Sequence, residues 1–364
     1  MSRRLKVGVV GGGIGISHIE AYQALPELYS VEAFCDIDTG KAKAVAAERA
    51  IPKSVTRFED LLGFDLDIVD VSTPPDFHVP QTLAALSAGR HVVVEKPLAS
   101  SLADIDVVAE AERTAGKRVS PIFQYRFGNG LARLRHLIAK GVAGKPRVAT
   151  LETHWRRTAA YYAAGPWRGK WRSELGGCLA SHAIHIHDLL MQTLGPLARV
   201  YARTTTRVNP IETEDCAAIT FEFADGTLAT SSVTLGSTDD ISRMRFCFEG
   251  LTAESGLDPY NPGHEPWTFT AADDDGRKRI DAALADFVPG PERWVGQFAR
   301  LHGALTEGGP LPVTVADARA SIELLTAAYY SSRSGEAVAL PIGRDHPFYA
   351  GWVETMVTGK GHSS

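Results

Sequence analysis

Along the first third of the chain, short apolar runs alternate with stretches of helical spacing. Residues 6–10 read as a buried strand, 19–25 as a helix, and 31–35 as a second strand ending at Asp36. Residues 67–71 form another buried-type strand that stops at Ser72-Thr73-Pro74-Pro75, and 81–87 form a helix closed by Ala88-Gly89. The strand 91–94 runs into Glu95-Lys96-Pro97, 103–114 is helical, and 118–123 completes the set before Gln124-Tyr125-Arg126. βα units of this length predict an α/β fold with a doubly wound parallel sheet, whose ligands lie at the carboxyl ends of the strands.

From about Gly144 the pattern changes. Residues 147–154, 214–223, 227–235 and 244–249 are strand-like and separated by turns such as Ala224-Asp225-Gly226. They predict a C-terminal α+β domain with an open, mostly antiparallel sheet, preceded by a helix at 179–194. Helical runs at 293–305 and 315–332 are expected to pack back across the domains. The division is thus 1–124 for the doubly wound domain and 125–364 for the second.

A length of 364 residues, 44% hydrophobic and 22% charged, suits two soluble domains. A net charge of −5 without a basic run argues against nucleic acid as a partner. No segment reaches the roughly 18 apolar residues of a membrane span. Arg3-Arg4 before an apolar run looks like the start of an export signal, but the run breaks into glycines with no small-residue cleavage site behind it. The expectation is a cytoplasmic protein without a membrane partner. Its four cysteines are far apart and unpaired in pattern, which predicts neither a disulfide framework nor a zinc site.

Gly11-Gly12-Gly13-Ile14-Gly15 directly follows the first strand. Glycines there allow a tight turn and close approach of a pyrophosphate to a helix N-terminus. Asp36, at the end of the second strand, is placed to accept hydrogen bonds from a ribose and to repel a 2′-phosphate, so NAD is expected rather than NADP. The fingerprint is imperfect, since Ile16 holds its sixth position and Gly15 comes one place early. Lys96, at a strand end beside such a cofactor, could give or take a proton.

The run Ser181-His182-Ala183-Ile184-His185-Ile186-His187-Asp188 concentrates three of the chain's twelve histidines. On a regular helix His182, His185 and Asp188 share one face and His187 lies off it. That spacing permits a metal site, but none is expected, because a nicotinamide enzyme with a lysine needs no Lewis acid. Before it lies a loop rich in aromatic and cationic side chains, from His154 to Arg172. Aromatic faces stack on sugars, and arginines fork onto anionic groups.

Gly11-x-Gly13, Thr73-Pro74, His78, Glu95-Lys96-Pro97, Gly176-Gly177-Cys178-Leu179, His185-Ile186-His187-Asp188-Leu189-Leu190 and the late segment 313–321 occur in that order. Together they resemble the glucose–fructose oxidoreductase/inositol dehydrogenase/rhizopine catabolism (Gfo/Idh/MocA) family of NAD(P)-dependent enzymes. The resemblance implies that Lys96 assists hydride transfer at a sugar carbon, that Pro97 is cis, and that His185 is an acid/base or orienting group. It implies an aspartate four residues before that histidine, where this chain has Ser181. It also implies pairing through the open sheet, as a homodimer or homotetramer. Expected cofactor contacts are Gly11, Gly13, Ile14, Gly15, Asp36, Ser72, Thr73, Pro74, His78, Glu95, Lys96 and Gln124. Expected substrate contacts are Lys96, Tyr125, Arg126, His154, Tyr162, Trp167, Arg168, Lys170, Ser181, His182 and His185, with Lys96 and His185 catalytic.

The expected reaction is hydride transfer from a pyranose carbon, taken as C3, of a sugar or glycoside to NAD. The alternative is an NAD-dependent glycosidase working by transient C3 oxidation, elimination and re-reduction, with an anionic glycoside as one candidate. A non-catalytic regulator binding NAD and sugar is the third reading.

Overall fold

The computed structural model describes residues 3–359. The chain divides into two compact units, Met1–Phe123 with Trp294–Ile322, and Gln124–Arg293 with Glu323–Ser364. A single boundary after residue 124 leaves 294–322 with the second domain; the structure returns them to the first. The reason is the helix Arg293–Glu307, whose Phe298, Leu301 and Ala304 are buried in the first unit's core.

In the first unit, strands β1 (Leu5–Val10), β2 (Tyr29–Cys35), β3 (Lys53–Val55), β4 (Ile68–Val71), β5 (His91–Val94) and β6 (Val119–Pro121) form a sheet of order β3-β2-β1-β4-β5-β6. Every pairing in it is parallel. Val7, Val9, Ile68, Val69, Val71, Val92, Val93 and Val94 are buried, as β-branched residues covered on both sheet faces should be. The carboxyl ends of β1, β4 and β5 are consecutive along the sheet, which brings the Gly11, Ser72 and Glu95 turns to one edge. The first helix, Gly15–Gln23, starts at the last glycine of the run rather than at residue 19. Its opening turn lacks the apolar spacing that marks the rest.

The second unit carries β7 (Pro146–Arg156), β8 (Leu197–Thr205), β9 (Cys216–Phe223), β10 (Leu228–Thr234), β11 (Gly236–Phe248), β12 (Leu251–Glu254), β13 (Thr268–Ala271) and β14 (Val338–Ala339). They make one sheet, β13-β12-β11-β7-β10-β9-β8-β14, antiparallel except where β10 runs parallel to β7. β11 begins well before residue 244. Its first half is the polar run Ser237–Asp240, which a shift in register against β7 accommodates. One face of β7 buries Ala149, Leu151, Thr153 and Trp155, while Val148 and Thr150 are exposed on the other. The stretch expected as one helix is two: Leu179–Ala183 is π-helical and Ile184–Leu194 is α-helical. No described helix is long and apolar enough to cross a membrane.

In the first unit's core Phe298 stacks on Tyr22 at 4.1 Å with the rings 3° from parallel, and the Tyr29 hydroxyl donates to the Phe298 carbonyl at 2.7 Å. Phe298→Ala is expected to cost about 3–5 kcal/mol of unfolding free energy, measured by chemical denaturation.

Candidate active site

The turn after β1 is shaped by its glycines. Gly11 has φ of +101°, and a Cβ there would meet the Ser72 carbonyl oxygen at 2.4 Å. A Cβ on Gly13 would meet nothing within 4 Å, so its backbone is open to a ligand. Ile14, which leads into the first helix, is 41% exposed. Asp36 accepts from the Gly12 N–H at 2.9 Å and the Asp38 N–H at 3.0 Å, with the Lys41 ammonium 3.2 Å away. An open glycine turn at a helix N-terminus, with a carboxylate at the next strand end, fits the pyrophosphate and ribose of NAD.

Across the edge, the Lys96–Pro97 bond is cis. The His78 ring lies between the Pro97 and Thr73 carbonyl oxygens, at 2.7 and 2.8 Å, and so ties the two turns together. The Thr73 hydroxyl donates to Gln81 at 2.7 Å. Pro74 leads into the short turn of helix Pro75–Phe77. The side chains of Ser72 and Glu95, both expected as cofactor contacts, are hydrogen-bonded within the unit. Ser72 Oγ donates to Asp70 at 2.7 Å, and Glu95 Oε1 is 3.1 Å from Nε2 of His18. Glu95 Oε2 accepts the Lys96 N–H at 3.0 Å. His18 Nδ1 is 3.0 Å from both oxygens of Asp70, and the Tyr22 hydroxyl donates to that carboxylate at 2.9 Å. Sequence reasoning missed His18, Tyr22 and Asp70. The available signal was an acid inside the otherwise apolar strand Ile68–Val71.

In the second unit, Gln124, Tyr125 and Arg126 form a buried 3-10 turn. Tyr125 stacks on His185 at 4.3 Å, with the planes 24° apart. Arg126 is bound by Asp188 through two hydrogen bonds of 2.7 and 2.5 Å, both partners buried, so its guanidinium is a structural partner of the helix. His182 goes elsewhere. Its Nε2 accepts from Arg157 at 3.3 Å, and its ring meets Trp155 edge-on at 5.1 Å. His182 lies in the π-helical turn, His185 and Asp188 in the α-helix that follows it, and the partners described for the three differ. His187 faces the sheet, bonded to Ser231 at 2.9 Å, and burial pulls its pKa down to about 3.

Arg157 is buried among Trp155, Tyr161 and Tyr260, with its guanidinium carbon 4.7, 5.0 and 5.8 Å from their ring centres. Arg168 lies over Tyr161 and Trp167 at 4.1 and 4.5 Å, and Tyr162 meets Tyr161 edge-on at 5.1 Å. Lys170 is exposed. His154 does not join this wall. It lies on the opposite face of β7 from Trp155 and pairs with Ser232 at 3.0 Å, as alternation along a strand requires.

Residues 5–123 match the oxidoreductase family with an NAD-binding Rossmann fold, and residues 131–252 match the Gfo/Idh/MocA C-terminal domain. The chain belongs to the Gfo/Idh/MocA family. The inositol 2-dehydrogenase of Salmonella typhimurium is 36% identical over 146 residues, 39% of this chain and 44% of that protein. A glycosyl hydrolase family 109 protein of Shewanella putrefaciens is 30% identical over 191 residues, 48% of this chain and 41% of that one. The chain thus spans less than half the length of these curated relatives. The crystal structure of the WlbA dehydrogenase from Bordetella pertussis, in complex with NADH and UDP-GlcNAcA, has a TM-score of 0.80 at 25% identity, over 94% of this chain and 100% of that one.

Against the Gfo/Idh/MocA pattern, Ser181 stands where the resemblance implies an aspartate. The structure supplies a carboxylate from another element: Ser181 Oγ donates to Glu174 Oε1 at 2.7 Å, and Glu174 is buried. Its other oxygen accepts the Gly169 N–H. Glu214, also missed in the sequence, accepts from Gly177 and Leu179 N–H, each at 3.0 Å, and from the Tyr329 hydroxyl at 2.9 Å. It thereby fixes the turn that enters the histidine helices. Burial pushes its pKa up to about 7, against those donors.

Removing the Asp188 charge leaves Arg126 buried without its counter-ion. Asp188→Asn is expected to cost about 3–5 kcal/mol in denaturant unfolding, and adding Arg126→Met to recover much of it. Because the Glu214 pKa is raised on folding, its contribution to stability is full below the ordinary 4.5 and is lost as pH rises through about 7. The melting-temperature advantage of the native chain over Glu214→Gln should therefore shrink between about pH 5 and about pH 8.

Proposed function

We propose that this chain is an NAD-dependent oxidoreductase acting on a ring hydroxyl of a pyranose or glycoside. The observation that carries the reading is the place of Lys96, at the end of β5, beside β4, which in turn neighbours β1 and its open glycine turn. This edge of a doubly wound sheet is where a dinucleotide binds. Oxidising a secondary alcohol removes hydride from carbon and a proton from oxygen. Bound NAD would supply the hydride acceptor, held by the 11–15 turn and Asp36. Lys96, as the free amine, takes the hydroxyl proton, and in the second unit His185, steadied by Tyr125, is the candidate acid/base or orienting group. Tyr162 and Trp167 offer aromatic faces to the ring, and Arg168 suits an anionic group. The structural likeness to a dehydrogenase solved with UDP-GlcNAcA supports a sugar-nucleotide or charged sugar.

C3 is the carbon at which this first step also opens hydrolysis. A C3 ketone acidifies the C2 proton, so the aglycone leaves by elimination, water adds, and reduction of the ketone restores the sugar. Similarity to the Shewanella glycosyl hydrolase supports that second reading.

Incubation with NAD and a panel of pyranoses, UDP-sugar acids and nitrophenyl glycosides separates the two. NADH accumulation selects net oxidation; nitrophenol release with trace NAD and no accumulated NADH selects hydrolysis. Lys96→Ala is expected to lower kcat by about 10²–10⁴-fold with little change in KM. Full activity of that variant on every substrate turned over would remove Lys96 from the chemistry.

A further inference from the structure

His18 has no solvent exposure, and both of its ring nitrogens face carboxylate oxygens. A neutral imidazole carries one N–H and would turn its other lone pair onto a carboxylate. The geometry is satisfied when both nitrogens are protonated. Asp70 is then an ionised acceptor for His18, for Ser72 Oγ and for the Tyr22 hydroxyl, and Glu95 is an acceptor for His18 and for the Lys96 N–H. The aromatic rings of Trp294 and Phe298, 5.9 and 5.7 Å from the imidazole, cover it. Burial works against this charge, but the charge of Asp70, its hydrogen bond and those of Glu95 outweigh burial and raise the His18 pKa to about 10. Glu95 is opposed by burial too, yet the bond and charge of His18, and then Lys96, lower its pKa.

We propose that His18 is a positioning residue for Lys96: its imidazolium, shared by Asp70 and Glu95, holds Glu95 as the acceptor of the Lys96 N–H and balances the buried charge beside the Lys96 amine. The device joins three elements, because His18 belongs to the helix after the glycine turn, Asp70 to β4 and Glu95 to the end of β5. The groups facing His18 are thus Asp70, Glu95, Tyr22 and Ser72, and Glu95 and His78 lie close enough to feel the charge of Lys96. Its value to the enzyme rests on Lys96 as proton acceptor, but its test needs no turnover.

With Asp70 and Glu95 ionised and His18 protonated, the cluster carries one net negative charge. His18→Gln removes the positive charge and makes the surroundings of Lys96 more negative, which favours its ammonium form. Asp70→Asn removes a negative charge and does the opposite while His18 stays doubly protonated, which nitrogen-15 histidine spectra of that variant report. The Lys96 amine can be titrated by NMR in protein labelled with carbon-13 at the lysine Cε, with its signal identified by its loss in Lys96→Ala. The midpoint is expected to rise by about one unit in His18→Gln and to fall by a similar amount in Asp70→Asn. A purely structural role would lower the melting temperature of both variants without opposed titration shifts. Unmoved midpoints, or shifts of the same sign, overturn the proposal. Should a variant fail to fold, nitrogen-15 histidine spectra of the native protein decide. An imidazolium signature for His18, with both nitrogens protonated at about pH 8, supports it, and a neutral imidazole there overturns it. Failure of the oxidoreductase reading would appear instead as a native protein that turns over nothing with NAD, and it would leave these titrations as they are.

Discussion

A buried imidazole held between two carboxylates ties together the carboxyl edge of the first sheet. Desolvating Asp70 and Glu95 costs several kcal/mol each unless each keeps a full set of donors. His18 supplies a donor to both at once, and Ser72, Tyr22 and the Lys96 N–H supply the rest. Because these donors come from separate turns, the arrangement is satisfied only when the glycine-turn helix, β4 and the Glu95–Lys96–Pro97 turn are in register together. Close packing enforces the same register, since a Cβ on Gly15 would lie 3.1 Å from that of Ser72. Charge and sterics therefore specify the same geometry, the one in which the lysine and the open glycine backbone share an edge.

The second unit solves a similar problem with separate acids rather than one shared cation. Glu214 anchors the Gly177–Leu179 turn, Asp188 anchors Arg126, and Glu174 anchors Ser181 and the Gly169 backbone. All three are buried, and each is bonded to a segment adjoining His182 or His185. Half-satisfied buried acids would be costly, so each acts as a pin for the chain it accepts from. The aromatic wall around Arg157 and Arg168 is built on this base, and its stacking geometry needs the backbone fixed first.

Period and composition made the parallel sheet legible, because runs such as Ile68–Val71 and His91–Val94 are dominated by β-branched apolar residues. They also made the strand ends legible, and with them Asp36, Thr73 and Lys96. Partnerships across the fold were hidden. Nothing local in the sequence links His18 to Glu95, 77 positions later, or Glu174 to a serine seven positions later. The π segment itself has no signature in spacing, so the sequence suggests one regular helix where the structure has a π turn and then an α-helix. His154 and Trp155 show a different limit. Strand alternation guarantees that they face opposite ways, but only the burial of Ala149, Leu151 and Thr153 tells which way is in. Polar openings, as in β11, hid strand boundaries for the same reason: pairing rather than side-chain character keeps them extended.

The Ser181–Glu174 pair changes what the histidine helix can present. An aspartate at 181 would place ionic charge directly on the helix face. Here the hydroxyl donates its proton to the buried Glu174 carboxyl group, so the serine oxygen is left as an acceptor. An acceptor without charge can orient a hydroxyl but takes up a proton poorly. Among the three histidines that follow, His187 bonds to Ser231 of the sheet and His182 accepts from Arg157. His185 differs from both, since its neighbour is the flat face of Tyr125, a contact that fixes its plane.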